Sequence, residues 1–473
     1  MDLTTNLIVD YASSFSADDL TEDAVEAARR LTLDSLGCCL GAYTSPPSKR
    51  LRSVYGSIPS GKGREGADPG PGGDDTATAT VFGAGTETRV EYAALINATM
   101  VRYLDYNDTY ISEGRACHPS DHVPALIAVA EAEGSTGEEL LEAIVLAYEI
   151  QGALLDTGAT WDNGYDYVSW GAYSGAAAVG TLMGLSTERL RSAIGIAGAC
   201  NLTLSVSRKG AVSMWKGIAH PYATHNAIQA CQLARAGVTG PEQVLEGPGG
   251  FFEVASGRKL TVDRLGGRDG APYRITQAHV KPFPCGYYMQ PMITGVRDLV
   301  TEEGIDPARI EAIDIETFHE AAIILGDEEK WSTDLTRESA DHSIPYTASL
   351  AALYGDLSPD HYAETYRTDT EIHDLMGRVS VTETAAMNEA AVERPDSTPS
   401  VVRIRANGET HERRVDYAPG HAENPLPKER LVEKAREMAG PLLSDAQFEA
   451  LVAFCDDLPA HESVDPLIRT LTV

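Results

Sequence analysis

Apolar positions recur at helical spacing through most of the first 240 residues. Residues 16–43, SADDLTEDAVEAARRLTLDSLGCCLGAY, place Val25, Ala28, Leu31, Leu33 and Leu36 behind an acidic first turn, which predicts a helix. The same spacing predicts helices at about 89–103, 119–134, 137–156, 170–184, 186–200 and 219–236, many of them rich in Ala and Gly and so suited to close helix–helix packing. Residues 59–75, PSGKGREGADPGPGGDD, read as loop. After about residue 270 the period shortens. RIEAIDIETF (309–318), VSVTET (379–384), VVRIRA (401–406) and HERRVDYA (411–418) alternate as strands do. The last two flank NGE, whose Asn-Gly favours the positive φ of a hairpin turn. Helical patterns at 287–302 and 340–355 lie among these strands, and 425–457 returns to helix. The expectation is a mainly α fold. A large all-helical domain is built from both chain ends, 1–271 and 421–473, and a smaller α+β lid domain, 272–420, is inserted between them. A cleft between two such domains is a usual place for a small-molecule site.

Composition narrows the class. The chain has 473 residues, 43% of them hydrophobic, enough for a large core and more than one simple domain. No run of 18 apolar residues predicts a membrane span, and the N-terminus lacks a basic region followed by an apolar one, so a cytoplasmic protein is expected. Seven cysteines without CxxC spacing predict reduced thiols and argue against an iron–sulfur cluster. The net charge of −32 offers no basic footprint for nucleic acid or an anionic membrane. It suits a halophilic protein, because 1 M salt shortens the Debye length to about 3 Å and screens self-repulsion. Only nine residues are Lys, yet Lys209, Lys216 and Lys281 fall in segments rich in Gly, aromatic and small residues. A cation there is costly without a partner, which points to an anion.

Four segments carry candidate chemistry. In YLDYNDTYISEGRACHPSDH (103–122), Asp105 to Asp108 lacks the Gly and closing Glu of a calcium loop, and Pro119 stands where a zinc helix has its Glu, so no metal is expected. Pro119 suits a helix start, which puts His118 at a helix mouth where anions are favoured and where a proton can be exchanged near neutral pH. A capping and loop-bracing role explains this segment as well. In SRKGAVSMWKG (207–217), Arg208, Lys209 and Lys216 precede another helix start, either as a carboxylate site or, for Arg208 and Lys209, as exposed loop charges. Lys281, Tyr287 and Tyr288 in AHVKPFPCGYYMQPM could contact an anion, while Cys285 reads as a buried thiol. Asp341, His342, Ser343 and Tyr346 gather at one more helix start in ADHSIPYTASLAALYG.

These segments, in this order, resemble the MmgE/PrpD family. So do YEIQGALL (148–155), YDYVSWGAYSGAAAV (165–179), GPGGFF (247–252) and YAPGHAENPL (417–426), so the likeness spans nearly the whole chain. The resemblance implies a homodimeric enzyme, without cofactor or metal, that moves a proton beside a carboxylate of a di- or tricarboxylic acid. The reaction expected first is dehydration of 2-methylcitrate to 2-methylaconitate. Decarboxylation, epimerisation or isomerisation of a related acid such as cis-aconitate is the alternative, and a non-catalytic carboxylate-binding protein is the alternative of another class. Carried over by motif, His118 is the general acid or base, helped by Asp105, with Tyr346 and Lys216 also catalytic. Thr109, Arg208, Lys209, Lys281, Tyr167 and Tyr288 bind substrate. The chain departs from the family pattern at Tyr167 and Gly286, where relatives often have His.

Overall fold

A computed structural model describes residues 2–56, 77–113, 115–160, 164–208, 212–262 and 264–473. The expected loop at 59–75 and Lys209 lie outside them. The fold is mainly α. The Gly137–Asp156 helix shows how local chemistry sets an element: Thr136 caps it, and Glu139 reaches back to the Thr136 amide in a reciprocal box. Val90–Tyr103, Val168–Leu182, Thr187–Cys200 and Ala219–Arg235 form helices close to their expected limits.

Longer patterns break where polar caps intervene. The run at 16–43 divides into a short 3-10 turn, Ala17–Asp19, and the helix Glu22–Gly41, because Ser16 and then Thr21 each cap a new start. The run at 119–134 opens with the 3-10 turn Pro119–His122 before the α-helix Val123–Glu133. The run at 287–302 likewise starts as 3-10 and becomes α at Gln290, and 425–457 contains two helices, Lys428–Ala439 and Asp445–Asp456. Two short antiparallel hairpins interrupt the helical first half: β1 (Thr78–Val81) with β2 (Thr86–Arg89), and β3 (Tyr110–Ser112) with β4 (Arg115–Cys117).

Two hydrophobic cores result. One gathers buried side chains from Ile8 to Val280 and again from Leu431 to Leu471. The C-terminal return is possible because Lys428–Ala439 packs on Glu22–Gly41 with Gly37 against Ala435, where a Cβ would lie 2.9 Å from the Ala435 Cα. The second core runs from Phe283 to Ala406, with Ile111 reaching into it. It is built on a sheet of β5 (Ile310–Thr317), β6 (Val379–Glu383), β7 (Ser400–Ala406) and β8 (Glu409–Val415), in the order β6-β5-β7-β8. β5 and β6 are parallel, and the other pairs are antiparallel. Ala406 pairs with Glu409 across Asn407 (φ 53°) and Gly408 (φ 78°), the two-residue turn that Asn-Gly favours. The Gln290–Glu302 helix covers β7 and β8 and packs on Ile344–Tyr354. No described helix is long and apolar enough to cross a membrane.

Candidate active site

The Val90–Tyr103 helix ends in a buried Arg102, and three residues on the chain turns sharply at Asp105. Asp105 has φ 51°, a left-handed conformation that Asp adopts more readily than most residues. The β3–β4 hairpin then folds the chain back, with Tyr110 opposite Cys117, and so returns His118 to the side of Asp108 and Thr109. Thr109 exchanges both backbone hydrogen bonds with His279 (2.9 and 2.7 Å), which carries Lys281 to Asp105. Lys216 arrives from the 3-10 turn Met214–Gly217, and Asp341 and His342 from the turn before Ile344–Tyr354 in the second core.

Asp105 is the hub. Its carboxylate accepts from Lys216 Nζ at 2.7 Å and from Lys281 Nζ, lies 3.1 Å from Arg102 Nη1, and is 3.4 Å from His342 Nε2. Burial opposes its ionisation, but Arg102, Lys216, Lys281 and His342 outweigh that and hold its pKa well below the ordinary carboxylate range. Asp341 accepts from Lys216 (3.2 Å) and Arg337 (2.6 Å). The cluster thus sets four cations, Arg102, Lys216, Lys281 and Arg337, against the carboxylates of Asp105 and Asp341 and that of Asp121, 3.8 Å from Arg102, whose ionisation burial opposes, and its field favours an anion. Asp105, Asp341 and His342 are close enough together to ligate a metal. Lys216 Nζ, however, sits 2.7, 3.2 and 3.0 Å from the same three groups, so an ion would have to displace that ammonium.

Three histidines line the neighbouring cavity, which has a volume of about 490 Å³: His118 and His342 within it and the exposed His319 at its edge. His118 Nδ1 is 2.6 Å from the Asp108 carbonyl, an oxygen that can only accept. The Nδ1 proton is thereby fixed and Nε2 is left as a bare lone pair. Burial, with the Arg102 and Lys281 charges, pushes the His118 pKa well below its ordinary value. His118 is therefore a neutral acceptor at pH 7. His342 Nδ1 lies 2.6 Å from Asp341, and burial with the Lys216 charge brings its pKa down to about 4. Tyr167, in edge contact with the His118 ring at 5.7 Å, accepts from Arg208 Nη2 at 2.8 Å, while Arg208 Nε donates to Asp166 at 2.6 Å.

The structure brings most of the expected residues together. Asp105, His118, Tyr167, Arg208 and Tyr288 line the cavity. Thr109 sits behind His118, its Oγ1 3.2 Å from Nδ1. Lys216 and Lys281 lie one layer back, engaged by Asp105 rather than lining the cavity, where carboxylate-binding residues were expected. Tyr346 is not brought to the cluster: its hydroxyl donates to the His361 carbonyl at 2.6 Å, on the far side of its own helix start. The helix mouth at Pro119 is not open to an anion either, because Asp108 Oδ1 already takes the Ser120 amide (3.3 Å). Cys285 is buried, and burial raises its pKa further from reactivity. Sequence reasoning passed over Arg102, whose signal was an Arg ending an apolar helix three residues before Asp105. It noticed Asp341 and His342 but had no partner to assign them.

Residues 6–262 match the MmgE/PrpD N-terminal domain and residues 283–457 the MmgE/PrpD C-terminal domain. The chain belongs to the MmgE/PrpD family. Among its relatives, a 2-methylcitrate dehydratase of Cupriavidus necator is 26% identical over 97% of this chain and 95% of the relative. A 2-methylcitrate dehydratase of Escherichia coli K12 is 26% identical over 80% of this chain and 77% of the relative. A cis-aconitate decarboxylase of Aspergillus terreus is 24% identical over 99% and 95%. A relative named as a 2-methylcitrate dehydratase is thus similar to this chain over 97% of its length, across both cores.

Proposed function

We propose that the protein is a hydro-lyase that removes water from 2-methylcitrate to form 2-methylaconitate. The observation that carries this reading is the fixed tautomer of His118, a bare Nε2 on a cavity that Arg102 and Arg208 also line. His118 takes the proton from the carbon beside a carboxylate. The C–H electrons become the new double bond, the C–O bond breaks, and the leaving hydroxide takes a proton to depart as water. Tyr167 is the donor: its oxygen already accepts from Arg208, so its own proton is directed elsewhere. Proton exchange with solvent restores both groups. Arg102, Arg208 and the lysines behind Asp105 stabilise the negative charge that builds on the substrate carboxylate as its neighbouring proton leaves.

The test is a panel of di- and tricarboxylic acids with the purified protein, with chelator present and salt varied, following alkene formation and carbon dioxide release. Growth of alkene absorbance with 2-methylcitrate and no carbon dioxide supports the reading. Carbon dioxide release in its place overturns it in favour of decarboxylation, and ligand-dependent stabilisation without turnover favours a binding protein. His118→Asn should lower turnover by about 10²–10⁴-fold while the fold persists, and near-normal turnover would remove His118 from the mechanism.

A further inference from the structure

Residues 105–108 are buried yet belong to no helix or strand. The carbonyls of such a segment must be paired from elsewhere. Three of them accept from side chains: Asp105 from Lys281 Nζ at 3.0 Å, Tyr106 from Lys434 Nζ at 2.7 Å, and Asp108 from His118 Nδ1 at 2.6 Å. Lys434 comes from the helix Lys428–Ala439, and its ammonium also lies 2.6 Å from Asp34 and 4.0 Å from the centre of the Tyr106 ring. The Tyr106 hydroxyl donates in turn to the Pro282 carbonyl at 2.9 Å. The chain has nine lysines. Four are buried among the described residues, and three of those converge on two consecutive positions, Lys216 and Lys281 on Asp105 and Lys434 on Tyr106.

Lys434 and Asp34 also join the C-terminal helix to the helix Glu22–Gly41, so stapling is the competing account of this pair. Those helices already meet closely at Gly37 and Ala435. Replacing a buried ion pair by apolar residues of the same volume is often neutral or stabilising, so a staple does not need the charges. What an apolar pair lacks is a donor for the Tyr106 carbonyl. That donor fixes the peptide directly after the left-handed turn at Asp105 (φ 51°), two residues before the carbonyl that sets the His118 tautomer. Asp105, His118 and His342 lie at the cavity floor, whereas Lys434 does not line the cavity. Any effect of Lys434 on the chemistry therefore passes through the 105–108 segment.

We propose that Lys434 is a positioning residue of the active site: by holding the Tyr106 carbonyl it fixes the Asp105 carboxylate and the carbonyl that orients His118. This rests on the reading of His118 as the base, whichever acid is turned over. Two variants separate positioning from stapling. Asp34→Asn keeps the donor, since an amine donates whether or not it is charged. Asp34→Asn/Lys434→Met removes donor and ion pair together at similar volume, and strands neither charge. Each is compared with the wild type by kcat and KM, by urea midpoint, and by hydrogen exchange of peptides spanning 103–110. Asp34→Asn should keep kcat within about threefold, while the double variant should lose about 10- to 100-fold in kcat, the scale of a misplacement of about 1 Å, with KM within about threefold. Its urea midpoint should be no lower than that of Asp34→Asn, and its exchange at 103–110 should be faster by at least about tenfold. A double variant that matches Asp34→Asn in kcat and in exchange overturns the proposal. So does one that fails to fold where Asp34→Asn folds, because that is stapling. If the wild type turns over none of the acids, the hydro-lyase reading fails, and exchange then decides the positioning separately: faster exchange confined to 103–110 supports it, and unchanged exchange overturns it.

Discussion

Lys216 meets Asp341 at 3.2 Å across the boundary between the two cores while its ammonium also holds Asp105 at 2.7 Å. One side chain thereby ties the two cores together beside the cavity. Each end of this contact is buried, so removing a single partner leaves charge uncompensated in a low dielectric.

Asp105→Asn tests that consequence without disturbing the backbone, since Asn tolerates the same left-handed conformation. It should cost about 3–5 kcal/mol in urea unfolding at fixed salt and remove most activity. The pKa of Asp105 is lowered in the folded state, so its contribution is complete above the unfolded value of about 3.9 and is lost only as pH falls towards the folded one. The cost should therefore be the same at pH 7.5 and pH 5.5. A cost that shrinks by pH 5.5 contradicts the proposed role of its cationic neighbours.

Acid should weaken the fold. The buried His118, His122, His220 and His279 and the partly buried His342 have lowered pKa values, His122 to about 3 and His342 to about 4. Below about pH 6.5 the unfolded chain binds protons that these side chains refuse in the folded state, so each costs up to about 1.4 kcal/mol of stability per pH unit. Asp108 and Asp121, raised by burial to about 6 and about 7, act in the opposite direction, because folded protein keeps protons that the unfolded chain has lost. His225, His361 and His421 are lowered as well, while Asp34, Glu131, Glu142 and His319 are raised, so eight histidines against six opposing groups leave a net loss. Urea midpoints should fall between pH 6.5 and pH 5.5, and a flat or rising profile counts against it.

Tyr346→Phe separates a structural tyrosine from a catalytic one. Its hydroxyl donates to the His361 carbonyl, so the variant should lose about 1 kcal/mol of stability and keep turnover within about threefold. A hundredfold fall in kcat would return Tyr346 to the chemistry.

A second copy of the chain is the proposed partner. Leu202, Leu204, Val206, Trp215 and Tyr222 are exposed close together along the chain, with the Trp215 and Tyr222 rings 5.5 Å apart, and Arg208 and Lys216 come from the same stretch. Light scattering should give a dimer, and Trp215→Asp should weaken it by at least about thirtyfold, the loss of about 2 kcal/mol typical of a buried aromatic anchor, and lower activity with it. A wild-type monomer at micromolar concentration refutes the proposal. With a net charge of −32 on each chain, both dimer and fold should strengthen between 0.1 and 2 M KCl; a melting temperature that does not rise over this range argues against salt adaptation.

Local rules were legible wherever a few neighbouring residues settle the outcome. The Thr136–Glu139 box, the Asn407–Gly408 turn and the alternation of β5 and β7 depend on side chains within reach of their own backbone, so the one-dimensional pattern carries them. The 16–43 run was misjudged because competing caps at Ser16 and Thr21 matter more than an apolar period that passes through both.

What the sequence by itself determined is the mainly α fold, the strand segments after residue 309 and the family; Asp105, His118, Tyr167 and Arg208, expected as site residues, line one cavity. Only the tertiary structure decided their roles. Asp105 gathers cations from residues 102, 216 and 281, and His118 owes its tautomer to a carbonyl that a hairpin folds onto it. His342 enters the floor from the other core, while Tyr346, four residues on, turns away. Protonation, burial and charge balance depend on which groups meet in space, and in this protein Lys216, Lys281 and His342 each lie more than a hundred residues from the Asp105 they surround.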